Sequence, residues 1–276
     1  MTDQEGADWI PPGADLSRPS AARIYDYLLG GAHNLAADRA VAHKLEAIQP
    51  QVATVARRNR AFLRRVVRYL LEQGVRQFLD LGSGIPTVGN VHEVAQEVDA
   101  GAKVVYVDYE PVAVAHSLML LKDNPNAEAL EADATNTEAV LKSEPVKELL
   151  DLSEPVGLLA ITLGHYLPPE PDPRSVFAAY RDALAPGSYV ALTHLTNDFA
   201  VLRDPRVAET MRKTQDHIYP RSRDEVLALF DGFELVEPGL TTSANWRPDR
   251  LAAVVDPEED GLYAGVGIKP RANRFS

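Results

Sequence analysis

The chain has 276 residues, 45% of them hydrophobic, with a formal net charge of −12 and no cysteine. It is long enough to bury a substantial α/β core. An acidic surface repels phosphate backbones and so disfavours nucleic acid as a general partner. The missing thiols exclude disulfides, zinc–thiolate sites and cysteine nucleophiles.

Residues 1–16 are acidic and polar and read as a flexible N-terminal arm. They lack the basic start and apolar run of a signal peptide, and nowhere does the chain approach the roughly 20 apolar residues of a membrane span. A cytoplasmic protein with no membrane partner is expected.

Residues 17–74 read as a helical cap. A first helix runs through Arg23 to Leu29, with Ser17 or Ser20 as its cap and Gly30-Gly31 as its stop. A second covers Leu35 to Ile48, ended by Pro50. A third spans Val52 to Gln73 and stops at Gly74. On its wheel Arg57, Arg60, Arg64 and Arg68 form one stripe, opposite Phe62, Leu63, Val66, Val67 and Leu70. That stripe is either a solvated face or an anion-binding one.

From Val75 the pattern becomes strands alternating with helices, and residues 75–276 read as a core that packs with the cap into one compact domain. Strands are expected at 77–81, 103–108, 127–132, 156–162, 188–195, 233–236 and 262–268. Helices are expected at 88–98, 113–123, 137–150, 175–184 and 224–230. Such alternation implies a mostly parallel sheet with helices on both faces. Ligands of such sheets bind at the C-terminal edge of the strands.

Asp80-Leu81-Gly82-Ser83-Gly84 closes the first strand. Its glycines let backbone N–H groups approach a ligand. A dinucleotide site would carry a third glycine where Thr87 stands, after Pro86, which weakens a nicotinamide reading. Asp108 ends the second strand, where an acid can accept from both ribose hydroxyls, cap the next helix, or do both. Asp133 ends the third strand, facing an adenine amino group or closing an Asx-turn.

With Val107-Asp108, Ala132-Asp133-Ala134, Ala185-Pro186-Gly187-Ser188 and Gly232-Phe233-Glu234-Leu235, the turn resembles those of class I S-adenosylmethionine methyltransferases. Ser20 to Gly31, Asn34, Asp38-Arg39, Arg58 to Arg65 and Gly82 to Thr87 resemble, more closely, an actinobacterial S-adenosyl methyltransferase family of unassigned substrate. The likeness runs over roughly residues 17 to 270. It implies a Rossmann-like fold of seven strands, the last antiparallel, and S-adenosylmethionine as cofactor with S-adenosylhomocysteine as product.

The resemblance also implies roles. Gly82 and Ser83 would line the methionine part, Asp108 the ribose, and Asp133 with Ala134 the adenine end. The candidate cofactor set is Asp80, Gly82, Ser83, Gly84, Asp108, Tyr109, Asp133, Ala134, Leu163 and Gly164. His165 and then His194 are candidate general bases, each alternatively a structural histidine. Tyr25, Tyr27, Asn59, Tyr166, Asn197 and Trp246 are candidates for a substrate-contacting lid. Tyr25 and Tyr27 lie two apart on a helix, so at most one points into a given pocket. The histidines show no spacing that suggests a metal site. In-line methyl transfer to a small molecule is the expected reaction. A cofactor-binding regulatory protein without turnover and an NAD(P)-dependent oxidoreductase are the alternatives.

Overall fold

A computed structural model describes residues 10–11, 16–86, 89–199, 203–249 and 252–271 of the chain. Most of the expected arm, Thr87 and the first residue of the expected 88–98 helix lie outside the described residues.

The cap begins with α1 (Ala21–Leu28), α2 (Ala36–Ile48) and α3 (Val52–Glu72). Of the two candidate caps Ser20 is the one used, its hydroxyl accepting from Arg23 N. Then follow β1 (Gln77–Leu81), α4 (Val91–Val98), β2 (Lys103–Asp108), α5 (Pro111–Leu121) and β3 (Ala127–Glu131). The expected single helix at 137–150 is two, α6 (Thr137–Leu141) and α7 (Glu144–Leu149). Ser143 restarts the helix as an N-cap, and Pro145 fits the first turn where no N–H is needed.

The chain continues with β4 (Gly157–Ile161), α8 (Pro173–Ala183), β5 (Tyr189–Leu195), α9 (Pro205–Met211) and α10 (Arg223–Ala228). It ends with β6 (Glu234–Leu235), β7 (Thr241–Thr242) and β8 (Leu262–Ile268). Helix α9 falls in a stretch that reads from sequence as polar connection. The two-residue β7 pairs with β8 and adds an eighth strand to the expected seven.

The sheet order is β3-β2-β1-β4-β5-β8-β6. β1 to β5 pair in parallel, while β8 runs antiparallel to β5 in full register from Tyr189↔Ile268 to Leu195↔Leu262. Strand order reverses between β1 and β4, the place where ligands of open α/β sheets bind.

Two apolar layers enclose the sheet. One packs Phe62, Val66, Val67 and Leu70 of α3 against Phe78, Val104 and Leu159. The other packs Val176, Phe177 and Tyr180 of α8 against Leu79, Leu158 and Leu192. Helix α3 thus serves the sheet along its later turns, while its first turns join the cap. Ala56 packs there with Ile24, Val41, Leu45, Val207 and Met211, so α9 completes the cap from far along the chain. A buried arginine fastens cap to core: Arg23 pairs with Asp38 at 2.8 Å and with Glu110 at 2.5 Å. Glu110 is also the N-cap of α5, accepting from Ala113 N at 2.7 Å. No helix among the described residues is long and apolar enough to cross a membrane.

Candidate active site

The turn after β1 is held against β2. Gly82 N and Ser83 N both donate to Val107 O, at 2.8 and 3.2 Å. Gly82 and Gly84 each adopt φ of +65°, a conformation that favours glycine. A Cβ on Gly82 would also lie 2.9 Å from Leu163 Cδ1, whereas one on Gly84 would meet nothing within 4 Å. The space beside Gly84 is open. Asp108 then fastens the turn: its Oδ2 accepts from Gly84 N at 2.7 Å and its Oδ1 from Glu110 N at 2.9 Å. Each carboxylate oxygen retains a second lone pair.

A cavity of about 380 Å³ opens over this edge, within the range of small-ligand sites. Its floor carries Asp80, Gly82, Ser83, Gly84, Asp108 and Asp133. Tyr109, Ala134, Leu163 and Tyr166 line its sides. The cap closes it with Ala21, Tyr25, Asn59, Arg60 and Leu63. A third wall, Gln215, Asp216, His217 and Tyr219, comes from the segment after α9.

That third wall is tied across the mouth. Asp216 accepts from Ala21 N at 2.6 Å and from the Tyr109 hydroxyl, joining α1, the β2–α5 turn and the 212–219 segment. Asp133 closes the turn expected of it, with Oδ1 accepting from Thr135 N at 2.8 Å and from Thr135 Oγ1 at 2.7 Å. Tyr180 donates to Ala134 O at 2.8 Å and pins that loop from below.

Burial governs the electrostatics. Desolvation pushes the Asp80 carboxyl up to about 7, against the lowering effect of Arg60, and Asp108 adds a smaller rise. Desolvation raises Asp108 to about 6, against the bonds it accepts from Glu110 N and Gly84 N. Asp216 is raised by burial as well. The Tyr25 and Tyr166 phenols are pushed up by the same cause and stay neutral at physiological pH.

Several expected site residues lie elsewhere. His165 and His194 are almost wholly buried, at 1% and 0% exposure, and neither lines the cavity. His194 Nδ1 bonds Leu195 O at 2.7 Å, and its Nε2 lies 2.9 Å from Arg221 Nη1. His165 Nδ1 accepts from Leu195 N at 3.4 Å. Burial drives both imidazoles down, His194 to about 4, so both are neutral and packed behind the site. Gly164 sits with them, because a Cβ there would lie 2.8 Å from His194 Cδ2.

Trp246 is a core residue rather than a lid: it has no exposure and stacks edge-on with Phe62 and Tyr69 at 5.4 and 5.6 Å. Tyr27 turns away from the cavity to bond His43 Nε2 at 2.8 Å, while Tyr25 turns inward, as their spacing requires. Asn197 is exposed beyond β5 and does not line the cavity.

Asp216, Gln215, His217 and Tyr219 line the cavity without belonging to any motif of the sequence. Their only signal is a cluster of polar residues, Thr214 to Tyr219, in a connection long enough to fold back over the strand ends. In the arginine stripe, Arg60 lines the cavity while Arg57, Arg64 and Arg68 are exposed.

A family model described as S-adenosyl methyltransferase matches residues 7–270. A Thermobifida fusca crystal structure, assigned provisionally as a methyltransferase, superposes with a TM-score of 0.89 at 42% identity, over 96% of this chain and 100% of that one. A DUF574 family protein of Streptomyces avermitilis superposes at 0.88 with 35% identity, over 93% of this chain and 99% of that one. An O-methyltransferase family protein of Burkholderia thailandensis shares the fold at 12% identity and a TM-score of 0.52, over 80% of this chain and 58% of that one. No curated protein matches the chain.

Proposed function

Since the chain belongs to the S-adenosyl methyltransferase family, we propose that this S-adenosylmethionine-dependent enzyme methylates a small molecule held in the cavity beneath the cap. One observation carries that reading: the space above the Gly82–Gly84 turn is roofed by α1 and α3 and walled by the 212–219 segment. An acceptor must therefore fit within a bounded volume. The formal charge of −12 also disfavours a nucleic-acid substrate.

The chain's residues fit the cofactor. The left-handed glycines leave an open cradle beside Gly84, and the Asp108 oxygens keep lone pairs after binding the turn. In our reading Asp108 receives the ribose hydroxyls, and Asp133 with Ala134 receives the adenine. Gly82, Ser83 and Leu163 line the methionine arm. Asp80 and Arg60, which both line the cavity and interact electrostatically, receive its ammonium and carboxylate. Bound S-adenosylmethionine supplies an activated methyl group on a sulfonium, ready for in-line transfer to a nucleophile.

The protein's own work is then positioning and exclusion of water. Tyr25 and Tyr166 present neutral aromatic walls near the β1 and β4 ends, suited to a sulfonium by cation–π attraction. His165 and His194 take no proton from the acceptor in this reading, since both are packed behind the cavity. They instead hold Leu195 and Arg221 in place.

The test is transfer of labelled methyl groups from S-adenosylmethionine to the two fractions of a dialysed cell extract. Label arriving in the dialysable fraction supports the reading. Label confined to retained protein or nucleic acid would refute the small-molecule assignment and leave the cofactor assignment standing.

A further inference from the structure

Asn59 is 1% exposed and lies in the wall of the cavity. Its hydrogen bonds reveal which way its amide points. The Tyr25 hydroxyl donates its one proton to Ala56 O at 3.1 Å. Tyr25 Oη can therefore only accept from Asn59, which it does from Nδ2 at 2.9 Å. The amide is locked with its NH₂ toward Tyr25 and its carbonyl on the other side. That carbonyl oxygen, Oδ1, is buried with no hydrogen-bond partner among the described residues. A buried acceptor without a donor is costly, and one at a binding site marks where a ligand's donor belongs.

The position selects which ligand. With the sheet in the order β3-β2-β1-β4, Asp108 and Asp133 stand over β2 and β3. Asn59 neighbours Tyr25, whose phenol interacts with Tyr166 beyond β4 and with Arg60. It therefore belongs to the end of the cavity away from the adenosine.

The surrounding charge selects the chemistry. Asp80, Asp108, Glu110, Asp133 and Asp216 line the cavity, and Arg60 is the one Lys or Arg among its described lining residues. Such a lining attracts cations. An acceptor hydroxyl would need a base to take its proton during attack, and the amide oxygen of Asn59 is not one. An amine needs none at that moment.

Resting on the methyltransferase reading above, we propose that the methyl acceptor is an amine whose N–H is received by Asn59 Oδ1. The amine is drawn in as an ammonium and releases one proton to bulk water. The neutral nitrogen's lone pair forms the N–C bond while the C–S electron pair passes to sulfur. Positive charge moves from sulfur to nitrogen, and the remaining N–H stays on Asn59, orienting the lone pair toward the methyl group. The product then leaves as the methylated ammonium.

The experiment is calorimetry on the full-length enzyme saturated with S-adenosylhomocysteine at mildly alkaline pH. The probes are matched pairs: benzylamine against benzyl alcohol, and butylamine against butanol. The wild type should prefer the amine of a pair by about tenfold or more. Asn59→Leu should cut that preference at least threefold while leaving S-adenosylhomocysteine affinity within about threefold. Tyr25→Phe, a milder change that unlocks the amide, should erode the preference in the same direction, and it carries the test if Asn59→Leu fails to fold.

Absence of amine preference in both pairs, or its survival undiminished in both variants, would overturn the proposal. So would loss of S-adenosylhomocysteine binding in Asn59→Leu with the amine preference intact, which would assign Asn59 to the cofactor. Failure of wild type to bind S-adenosylhomocysteine at all would instead remove the cofactor reading on which this proposal stands.

Discussion

Replacing Asp108 with alanine removes the group that joins the glycine turn to the proposed ribose site. In the structure its carboxylate accepts from Gly84 N at 2.7 Å and Glu110 N at 2.9 Å. On cofactor binding it would accept two ribose hydroxyls in addition. A hydrogen bond to a charged group contributes about 1.5–3 kcal/mol. Taking the lower figure for each, the loss is about 3 kcal/mol, or on the order of 100-fold in affinity. Some stability should go too, about 1–3 kcal/mol, because two amides lose an acceptor. Calorimetry with S-adenosylhomocysteine measures the first effect and thermal unfolding the second. A folded Asp108→Ala protein that binds within about threefold of wild type would refute the ribose assignment.

The remaining expectations follow from burial and charge. Asp80 titrates near 7 in the folded protein, against about 4 in an unfolded chain. The folded state thus holds the extra proton between these values, and stability falls as pH rises through that window. Unfolding free energies of wild type relative to Asp80→Asn should decline from about pH 4 to 7 and then level, and a flat difference would contradict the burial of an ionisable Asp80. A cationic ligand favours the ionised form, so S-adenosylmethionine affinity should rise over the same window in wild type. Trp246→Ala should destabilise by about 3–5 kcal/mol in denaturant titrations and leave cofactor affinity nearly unchanged where the protein is folded. Arg23→Ala strands Asp38 and Glu110 and should cost about 3–5 kcal/mol, with weaker cofactor binding because α1 loses its tie to the N-terminus of α5. His165→Gln should leave the pH dependence of methyl transfer unaltered, and a lost acidic limb would restore that histidine as a proton acceptor.

Much of the fold is written locally. β1, β2, β4 and β5 are short, mainly apolar runs almost wholly buried, and Asp80, Asp108 and Asp133 mark three strand ends in a row. Those acids and the glycines between them share a sheet edge because right-handed crossovers leave no other arrangement. What sequence could not convey was direction at longer range. Tyr25 and Tyr27 were separable by helical geometry, but which one faced inward depended on α3 and His43. His165 follows β4 at the right place in the chain, yet a 3-10 turn at Gly164–Tyr166 sends Tyr166 to the cavity and the imidazole inward.

Trp246 sits in a connection, where exposure is the ordinary expectation. The hollow between Phe62 and Tyr69 of α3 takes it instead. Asp216 is tied to the site by Tyr109 and Ala21, 107 and 195 residues away along the chain, and no local pattern records such a contact. Asn59 was recognisable as a polar residue on an otherwise amphipathic helix. Its unpaired carbonyl became visible only once Tyr25 and Ala56 fixed the amide.

The most direct test of the central claim is a pair of calorimetric titrations on the wild-type protein, S-adenosylhomocysteine in one and NAD in the other. Saturable one-to-one binding of S-adenosylhomocysteine, with no heat from NAD, is the expected result. Binding of NAD without S-adenosylhomocysteine would contradict the assignment of the cavity above Gly82, Gly84 and Asp108.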